Sequence, residues 1–591
     1  MEGEADLLDA PSPPRDFPPS PPPAPDPPPP PPPSGGPAGY DGLVGRAGVG
    51  FGRHQRLLCA LTCLPVPLAA AALLADAFYT LVPPHRCRLD PGGLPGFLRN
   101  ATPEEALGAL IPRPRDGEGA EGPSSCRLYR FANGTRQGAV PCPDGWDYAA
   151  GEGLRTNIVT QWDLVCDSSW NAPVEEVCLI LGCLTGYLLM GYSADRLGRR
   201  NTFIISLTLS ILFGTLVAVS RNAAMFILAR FFQGSSIAGL FLSLYLIRLE
   251  LCDPPHRLMV AMVAGFFAVG GQFLLLGLAV GCRDWRILQG IITAPLALFF
   301  IYCCPWVLLE SPRWLLATNQ VTEAKNVLTV IMEKNGQIFD REPLELEESF
   351  TELDSGYPSQ QGPSQQSICK LLKSRNIWKN ILILGFTTFI GHGIHHCYGT
   401  VRHNVLGTNS GFYLTYLLSA GTGGLACLFL CFTVDRFGRR GILLLSMTLT
   451  GLASLILLGL TEYLNDAAIM TFSILGLFSS HAVAMLSVFF SAEVIPTVIR
   501  GEGLGLILAL ASVGQLSSPI MDLHNQHGYF LHHVVYASFA ILCTLCIMLL
   551  PESKRKPLPE SVRDGERYRR PSLLRRRRDN VPLLTAPNPT I

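Results

Sequence analysis

Along its length the chain alternates long apolar runs with short polar joints. Runs of roughly twenty apolar residues, enough to cross a bilayer as a helix, fall near 57–82, 174–193, 202–220, 222–247, 258–281, 288–309, 378–398, 411–434, 441–460, 467–490, 502–521 and 529–550. The stretches 177–190 and 441–460 carry no charge on any face, whereas the helices of a soluble core would be amphipathic. In lipid every backbone group must be satisfied within its own segment, which makes each run a helix. The pattern predicts an all-α polytopic membrane protein of about twelve transmembrane helices in two six-helix halves. It divides into an N-terminal segment 1–56, a first half 57–315 containing a long outer loop 83–173, a linker 316–376, a second half 377–550 and a tail 551–591. Within the linker, 321–334 and 366–375 read as helical.

The two halves repeat a set of charged landmarks. Asp195-Arg-Leu-Gly-Arg199-Arg200 returns as Asp435-Arg-Phe-Gly-Arg439-Arg440, each time after an apolar run. Glu250 and Arg257 recur with the same mutual spacing as Glu493 and Arg500, and Glu310 recurs as Glu552, all offset by about 240 residues. Repeated order at constant offset is the mark of a duplicated transporter. In each turn the glycine permits a tight reversal, and the acid can pair with an arginine or with the positive end of a neighbouring helix. Such a pair can lock one conformation and release another, so the loops are candidate gates.

Composition fits this class: 48% of residues are hydrophobic, 16% are charged, and mean hydropathy is +0.29. A net charge of zero argues against nucleic acid as a partner. Arg196, Arg199, Arg200, Arg248, Arg257, Arg436, Arg439, Arg440 and Arg500 fall on one side, against Arg221, Arg283, Arg286 and Arg402 on the other. The richer side is expected to be cytoplasmic, with both termini inside and 83–173 outside. That loop carries the sequons at Asn100 and Asn133 and four cysteines, Cys87, Cys126, Cys142 and Cys166, which read as two disulfides with three possible pairings. The other cysteines mostly sit in apolar runs as small core residues. Residues 1–50 are acidic and proline-rich, so no cleavable signal peptide is expected and the first helix serves as its own insertion signal.

Residues 11–33, with the run Pro27 to Pro33, are expected to stay disordered as extended polyproline helix and could dock an SH3 or WW domain. The tail from 551 holds Arg567, Arg569, Arg570 and the run Arg575 to Arg578, a basic cluster attracted to anionic lipid. Phosphorylation of Ser572 behind Arg569-Arg570 would offset that attraction.

These residues carry a family resemblance. The repeated loop resembles the signature of the major facilitator superfamily, as does Arg230-Phe-Phe-Gln233-Gly in the fourth run. Glu310-Ser-Pro-Arg313-Trp-Leu, Trp285-Arg-Ile-Leu-Gln289, Gln161-Trp-Asp-Leu-Val-Cys166-Asp and Glu493-x-x-Pro-Thr-x-x-Arg500-Gly are similar to solute carrier family 22, the organic cation and anion transporters. The resemblance covers roughly 50–553 and is strongest to the divergent branch of members 17, 23 and 31. It implies alternating access, with halves rocking about a midplane site. On that reading Asp195, Arg199, Arg200, Asp435, Arg439 and Arg440 are gates, and Glu250, Arg257, Glu310, Arg313, Glu493 and Arg500 complete an intracellular salt-bridge network. Arg230 is the intramembrane charge that needs a partner.

Two departures matter. Where family members that carry charged solutes have a selecting acid or base in the eleventh helix, this chain has neutral Ser512. Leu309 replaces the usual proline ahead of Glu310. Cation or anion selectivity therefore does not carry over. His392, His395 and His396 share one face of the seventh run, and His481 lies in the tenth. They are expected to line a solvated cavity without a resident metal or a switching role, and a response to protons near neutrality is the alternative. The chain is thus expected to be a plasma-membrane facilitator of small organic solutes, needing no cofactor and catalysing no reaction. The alternative is a non-transporting receptor or scaffold that binds a ligand through its outer loop.

Overall fold

The computed structural model describes residues 51–88, 110–111, 125–132, 135–149, 154–336, 374–406, 409–460, 466–524 and 529–567, all within the unit Gly39–Ile591. The first crossing, Arg53–Tyr79, is broken into α1 (Arg53–Cys63), α2 (Val66–Leu74) and α3 (Asp76–Tyr79). Pro65 and Pro67 cause the break: a proline has no N–H to donate and is tolerated only in the first turn of a helix, which is where α2 starts. After the outer loop and short α4 (Ile158–Gln161) come α5 (Asn171–Leu197), α6 (Arg199–Ala218), α7 (Ala223–Leu251), α8 (Arg257–Gly281) and α9 (Trp285–Thr293). The last of these tightens into a 3-10 helix over Ala294–Cys303.

The linker contributes α10 (Pro312–Ala317) and α11 (Val321–Asn335), the latter matching the helix expected at 321–334. The second half is α12 (Arg375–Leu406), α13 (Asn409–Phe437), α14 (Arg439–Leu460), α15 (Asp466–Val494), α16 (Arg500–His524) and α17 (Tyr529–Ile547), followed by short α18 (Val562–Arg567). Eleven helical segments among the described residues are long and apolar enough to cross a membrane, and α17 adds a shorter apolar stretch, Val534–Ile547. Several helices overrun their apolar runs, because their polar ends keep hydrogen bonding past the point where hydropathy falls.

Two apolar cores hold the halves. One gathers Trp285, Phe203, Phe226 and Tyr79 of the first half. The other centres on Leu384, Ile394, Phe489 and Ile507 and draws in Leu242, Leu246, Leu258 and Met262, so α7 and α8 of the first half are built into the core of the second. Leu189, Phe432 and Leu452 point outward, as lipid-facing side chains of a membrane bundle do.

In the loop 83–173 β1 (His85–Cys87) pairs antiparallel with β4 (Trp146–Tyr148), and β2 (Arg127–Ala132) with β3 (Thr135–Pro141). The pairing left open by sequence resolves as Cys87–Cys142 and Cys126–Cys166. The loop docks through Gln161, whose Oε1 accepts from Trp285 Nε1 at 2.8 Å, while Gln289 Oε1 accepts from the Tyr79 hydroxyl at 2.7 Å. Asn100, Asn133, Ser572, the proline-rich segment and residues 366–373 of the helix expected at 366–375 lie outside the described residues.

Two boundaries move. The first half begins before 57: α1 starts at Arg53, Phe51 stacks on His256 with ring centroids 4.8 Å apart, and the Phe51 N–H donates to Asp253. Residues 551–567, expected to belong to a basic tail, lie along the bundle instead. Ser553 donates to Glu493, the Pro559 carbonyl accepts from Thr497 N, and Glu566 accepts the N–H groups of Asn376 and Ile377 at the start of α12. Their polar composition hid this, since they anchor by hydrogen bonds together with the burial of Leu558 in the second-half core, where Val562 packs beside it.

Candidate functional site

The repeated turns build the same object twice. Gly198 and Gly438 join α5 to α6 and α13 to α14 at φ +95° and +89°, conformations that L side chains rarely adopt. A carboxylate fills the space beside each glycine: a Cβ on Gly198 would lie 2.5 Å from Glu310 Oε2, and one on Gly438 would lie 2.8 Å from Glu552 Oε2. Glu310 accepts the main-chain N–H groups of Arg199, Arg200 and Ser311, and Glu552 those of Arg439 and Arg440. Each acid therefore caps the amino end of the helix that follows the turn. Burial pushes the Glu310 carboxyl above its ordinary range, against the pull of these N–H groups and of Arg199.

Above the first turn the two halves are tied together. Asp195 accepts from Gly501 N at 3.0 Å and Glu502 N at 2.7 Å, so it caps α16 of the other half. Glu250 is fully buried between Arg199 of its own half and Arg500 of the other, at 3.1 and 2.9 Å, and Arg199 also donates to the Thr497 carbonyl at 3.0 Å. Backbone meets backbone here: a Cβ on Gly505 would sit 2.4 Å from the Tyr187 carbonyl oxygen, and one on Gly191 would sit 2.6 Å from that of Gly501. Glycine spacing along α5 and α16 thus brings the two halves into direct contact.

The duplication is not carried through. Asp435 pairs with Arg439 at 2.9 Å and keeps a third of its side chain exposed, whereas the Asp195 side chain is 4% exposed. Glu493 takes Arg439 at 3.2 Å and the Ser553 hydroxyl at 2.7 Å. The remaining residues of the expected gates and network also make main-chain contacts. Glu310 is a helix cap, because the glycine turn places it against N–H groups. Arg200 and Arg440 reach carbonyls at the end of their own half, Cys303 and Leu550. Arg257 donates to the carbonyls of Cys252 and Lys556, and Arg313 to that of Glu250.

The opposite end, on the loop side, holds a second polar group. Arg230, fully buried, donates to Glu175 Oε1 at 2.8 Å and lies 3.6 Å from Asp76. The neighbouring Glu176 crosses to the second half and meets His396 Nε2 at 2.9 Å. Beside it Phe78 packs against Phe412 and Tyr416 of α13, centroids 5.4 and 5.1 Å away. The histidines do not converge as their shared helix face suggested. His392 bonds the Thr388 carbonyl, and His395 reaches Ser480 and packs against His481 at 4.0 Å between centroids. His481 is itself buried at 9% exposure, and Ser512, at 2%, turns its hydroxyl onto the Leu508 carbonyl of its own helix. Helix packing covers both.

Sequence reading missed Asp76, Glu175, Glu176 and, as a cap, Glu552. The signal for Glu175 and Glu176 is two adjacent acids at the mouth of an apolar run, where a solvated residue and a buried one look alike. His85, Cys126 and Cys166 lie within 4.8 Å of one another, a metal-like spacing, but the two cysteines are joined in a disulfide and offer no thiolate.

Residues 168–563 match the family described as "Sugar (and other) transporter". The chain is 46% identical over 586 residues to solute carrier family 22 member 17 of Homo sapiens, covering 94% of this chain and 88% of that protein. It is 43% identical over 463 residues to member 23 of Homo sapiens, covering 74% and 66%. In structure it resembles the proton:xylose symporter XylE bound to 6-bromo-6-deoxy-D-glucose, with a TM-score of 0.53 at 19% identity over 68% of this chain and 89% of that one.

Proposed function

Because the chain belongs to solute carrier family 22 and carries the major facilitator fold of a multi-pass membrane transporter, we propose that it facilitates passage of small organic solutes across the plasma membrane by alternating access. The arginine-rich face is the cytoplasmic one, with both termini inside. The observation that carries the reading is the seam between α5 and α16, where Asp195 of one half caps a helix of the other and Glu250 holds arginines from both. These contacts are made between halves and can be exchanged as the halves rock, which a purely structural charge cluster inside one half could not do.

Arg199, Arg500, Glu250 and Asp195 form the inner gate. Asp435, Arg439 and Glu493 brace the second half, and Arg200, Arg440, Arg257, Arg313 and Glu310 fix the ends of the helices that carry the gate. Within the family the chain is similar to members 17 and 23, and the spelling of residues 248–257 supports a further likeness to member 31. Membrane lipid meets the outward leucines and phenylalanines. A gate built across the halves favours a transporter over a static receptor.

The test is an untargeted comparison of solute accumulation in cells without the protein, with the wild type and with Arg199→Ala, at matched surface abundance. At least one small organic solute is expected to differ between wild type and both controls. Identical profiles in all three would overturn the reading.

A further inference from the structure

The last crossing of the first half ends in an exposed pair of thiols. Past α9 the chain winds as a 3-10 helix over Ala294–Cys303, with Cys304 closing it and Pro305 next. Such a helix repeats every three residues, so positions three apart share a ridge. Leu296 and Tyr302 lie on the inward ridge, 1% and 2% exposed, and the Tyr302 hydroxyl donates to the Leu61 carbonyl at 2.7 Å. The two other ridges face out. One runs Leu298, Ile301, Cys304, and the other Ala297, Phe300, Cys303. Of the free cysteines among the described residues, only Cys303 and Cys304 are exposed.

The surroundings set the depth of these thiols. Leu298 and Ile301, 74% and 58% exposed, make the Cys304 ridge a lipid-facing apolar strip. Two residues past Cys304 the chain meets water: Trp306 is exposed, its carbonyl accepts from Lys334 Nζ at 3.3 Å, and the Cys303 carbonyl takes the Arg200 guanidinium. A tryptophan and two long basic side chains at one level mark the headgroup region of a bilayer. Cys304 stands at that boundary, and Leu298 lies about 12 Å deeper at the rise of this helix. We propose that Cys303 and Cys304, with Cys304 the main acceptor, are a site of S-acylation by a long-chain fatty acid. The cysteine sulfur attacks the carbonyl carbon of an acyl coenzyme A thioester. A bond from that sulfur to the acyl carbon forms, the bond from the acyl carbon to the coenzyme sulfur breaks, and the thiol proton leaves with the coenzyme. No oxidant or reductant is consumed. The acyl chain lies down along Ile301 and Leu298 and is buried in hydrocarbon.

The proposal rests on the arginine-rich face being the cytoplasmic one, because acyl coenzyme A is a cytosolic compound. It also bears on the seam. Arg200 holds the Cys303 carbonyl, and its neighbour Arg199 donates across the seam to the Thr497 carbonyl, so an acyl anchor at this turn fixes the start of α6 at the bilayer surface. The duplication supplies a control: the offset that relates Glu310 to Glu552 sets Cys546 in the place of Cys304, and Cys546 is half-buried.

The experiment expresses the full-length chain in cells fed an alkyne-tagged palmitate analogue. The tag is read on the purified protein before and after neutral hydroxylamine, which cleaves thioesters and spares amides. Wild type is expected to carry a hydroxylamine-sensitive tag. Cys304→Ser should lose most of it and Cys303→Ser with Cys304→Ser all of it, while Cys546→Ser keeps it. Both acceptor positions are exposed and serine is close to cysteine in size, so surface abundance is expected to be unchanged. A wild type without the tag, or an equal tag in wild type and the double variant, overturns the proposal. So does an untagged wild type that runs as a reductant-sensitive dimer where the double variant does not, which would make the pair an intermolecular disulfide. The faces are tested separately with a membrane-impermeant maleimide on intact cells. Reaction of Cys303 or Cys304 from outside would overturn the cytoplasmic assignment, and the proposal with it. Reaction only after permeabilisation, in protein that takes no tag, would overturn the acylation and leave the assignment of faces standing.

Discussion

Asp195 of the first half holds the amino end of α16 in the second, its Oδ2 accepting the Glu502 N–H at 2.7 Å. The corresponding Asp435 spends its charge on Arg439 within its own half. The seam at the arginine-rich end is therefore asymmetric although the sequence motifs that build it are not.

Asp195→Asn should open the inner face more than Asp435→Asn does. A carboxylate at a helix amino end contributes about 0.3–2 kcal/mol, so the closed-to-open ratio should fall by about 2- to 30-fold. Cysteine accessibility on the arginine-rich face measures it, with surface abundance unchanged. Equal shifts in both variants would mean that the cap on α16 does not hold the seam.

Glu250→Gln should do more harm to folding than to gating. It leaves Arg199 and Arg500 buried without their shared carboxylate, and breaking a buried pair by removing one partner costs about 3–5 kcal/mol. A marked loss of surface protein and a lower unfolding midpoint are expected, with partial recovery in Glu250→Gln combined with Arg500→Met. A stable single variant would contradict this account of the cluster.

The loop-side seam should respond to pH through His396. Its contact with Glu176 at 2.9 Å is an ion pair only while the imidazole is protonated, and an unperturbed imidazole titrates near about pH 6.5. Raising pH through about 6–8 should loosen closure on that side, seen as increased labelling of cysteines placed by Phe78 and Tyr416. His396→Gln and Glu176→Gln should each flatten the profile, whereas His392→Gln, whose side chain bonds its own helix, should not.

Glycosylation tests the assigned topology. Asn100 and Asn133 are expected to carry the N-glycan, so replacing both with Gln should abolish the mobility shift produced by glycosidase. A remaining shift would place N-glycan elsewhere and reverse the assignment of faces.

Ser512 bears on solute class. With no acid or base at this position, typical organic cations and anions should be taken up weakly, because a desolvated ion without a countercharge is costly. Robust uptake of either class, unchanged by Ser512→Asp or Ser512→Arg, would place selectivity elsewhere.

The sequence by itself determined the class, the number of helices, the duplication and the turn glycines, because each depends on local facts: the length of an apolar run, a repeated motif, a residue that tolerates positive φ. It also singled out Asp195, Arg199, Glu250 and Arg500 as members of one charged set. Only the tertiary structure decided which carboxylate meets which arginine, and that Glu310 and Glu552 act as helix caps. It alone parted the three histidines of one helix face among three different partners, and joined Asp76, Glu175 and Arg230 from three separate helices. Such contacts depend on the rotation and depth of each helix, and small glycine-to-backbone approaches such as Gly505 on Tyr187 set both. A hydropathy pattern records that a residue is buried; it does not record what it is buried against.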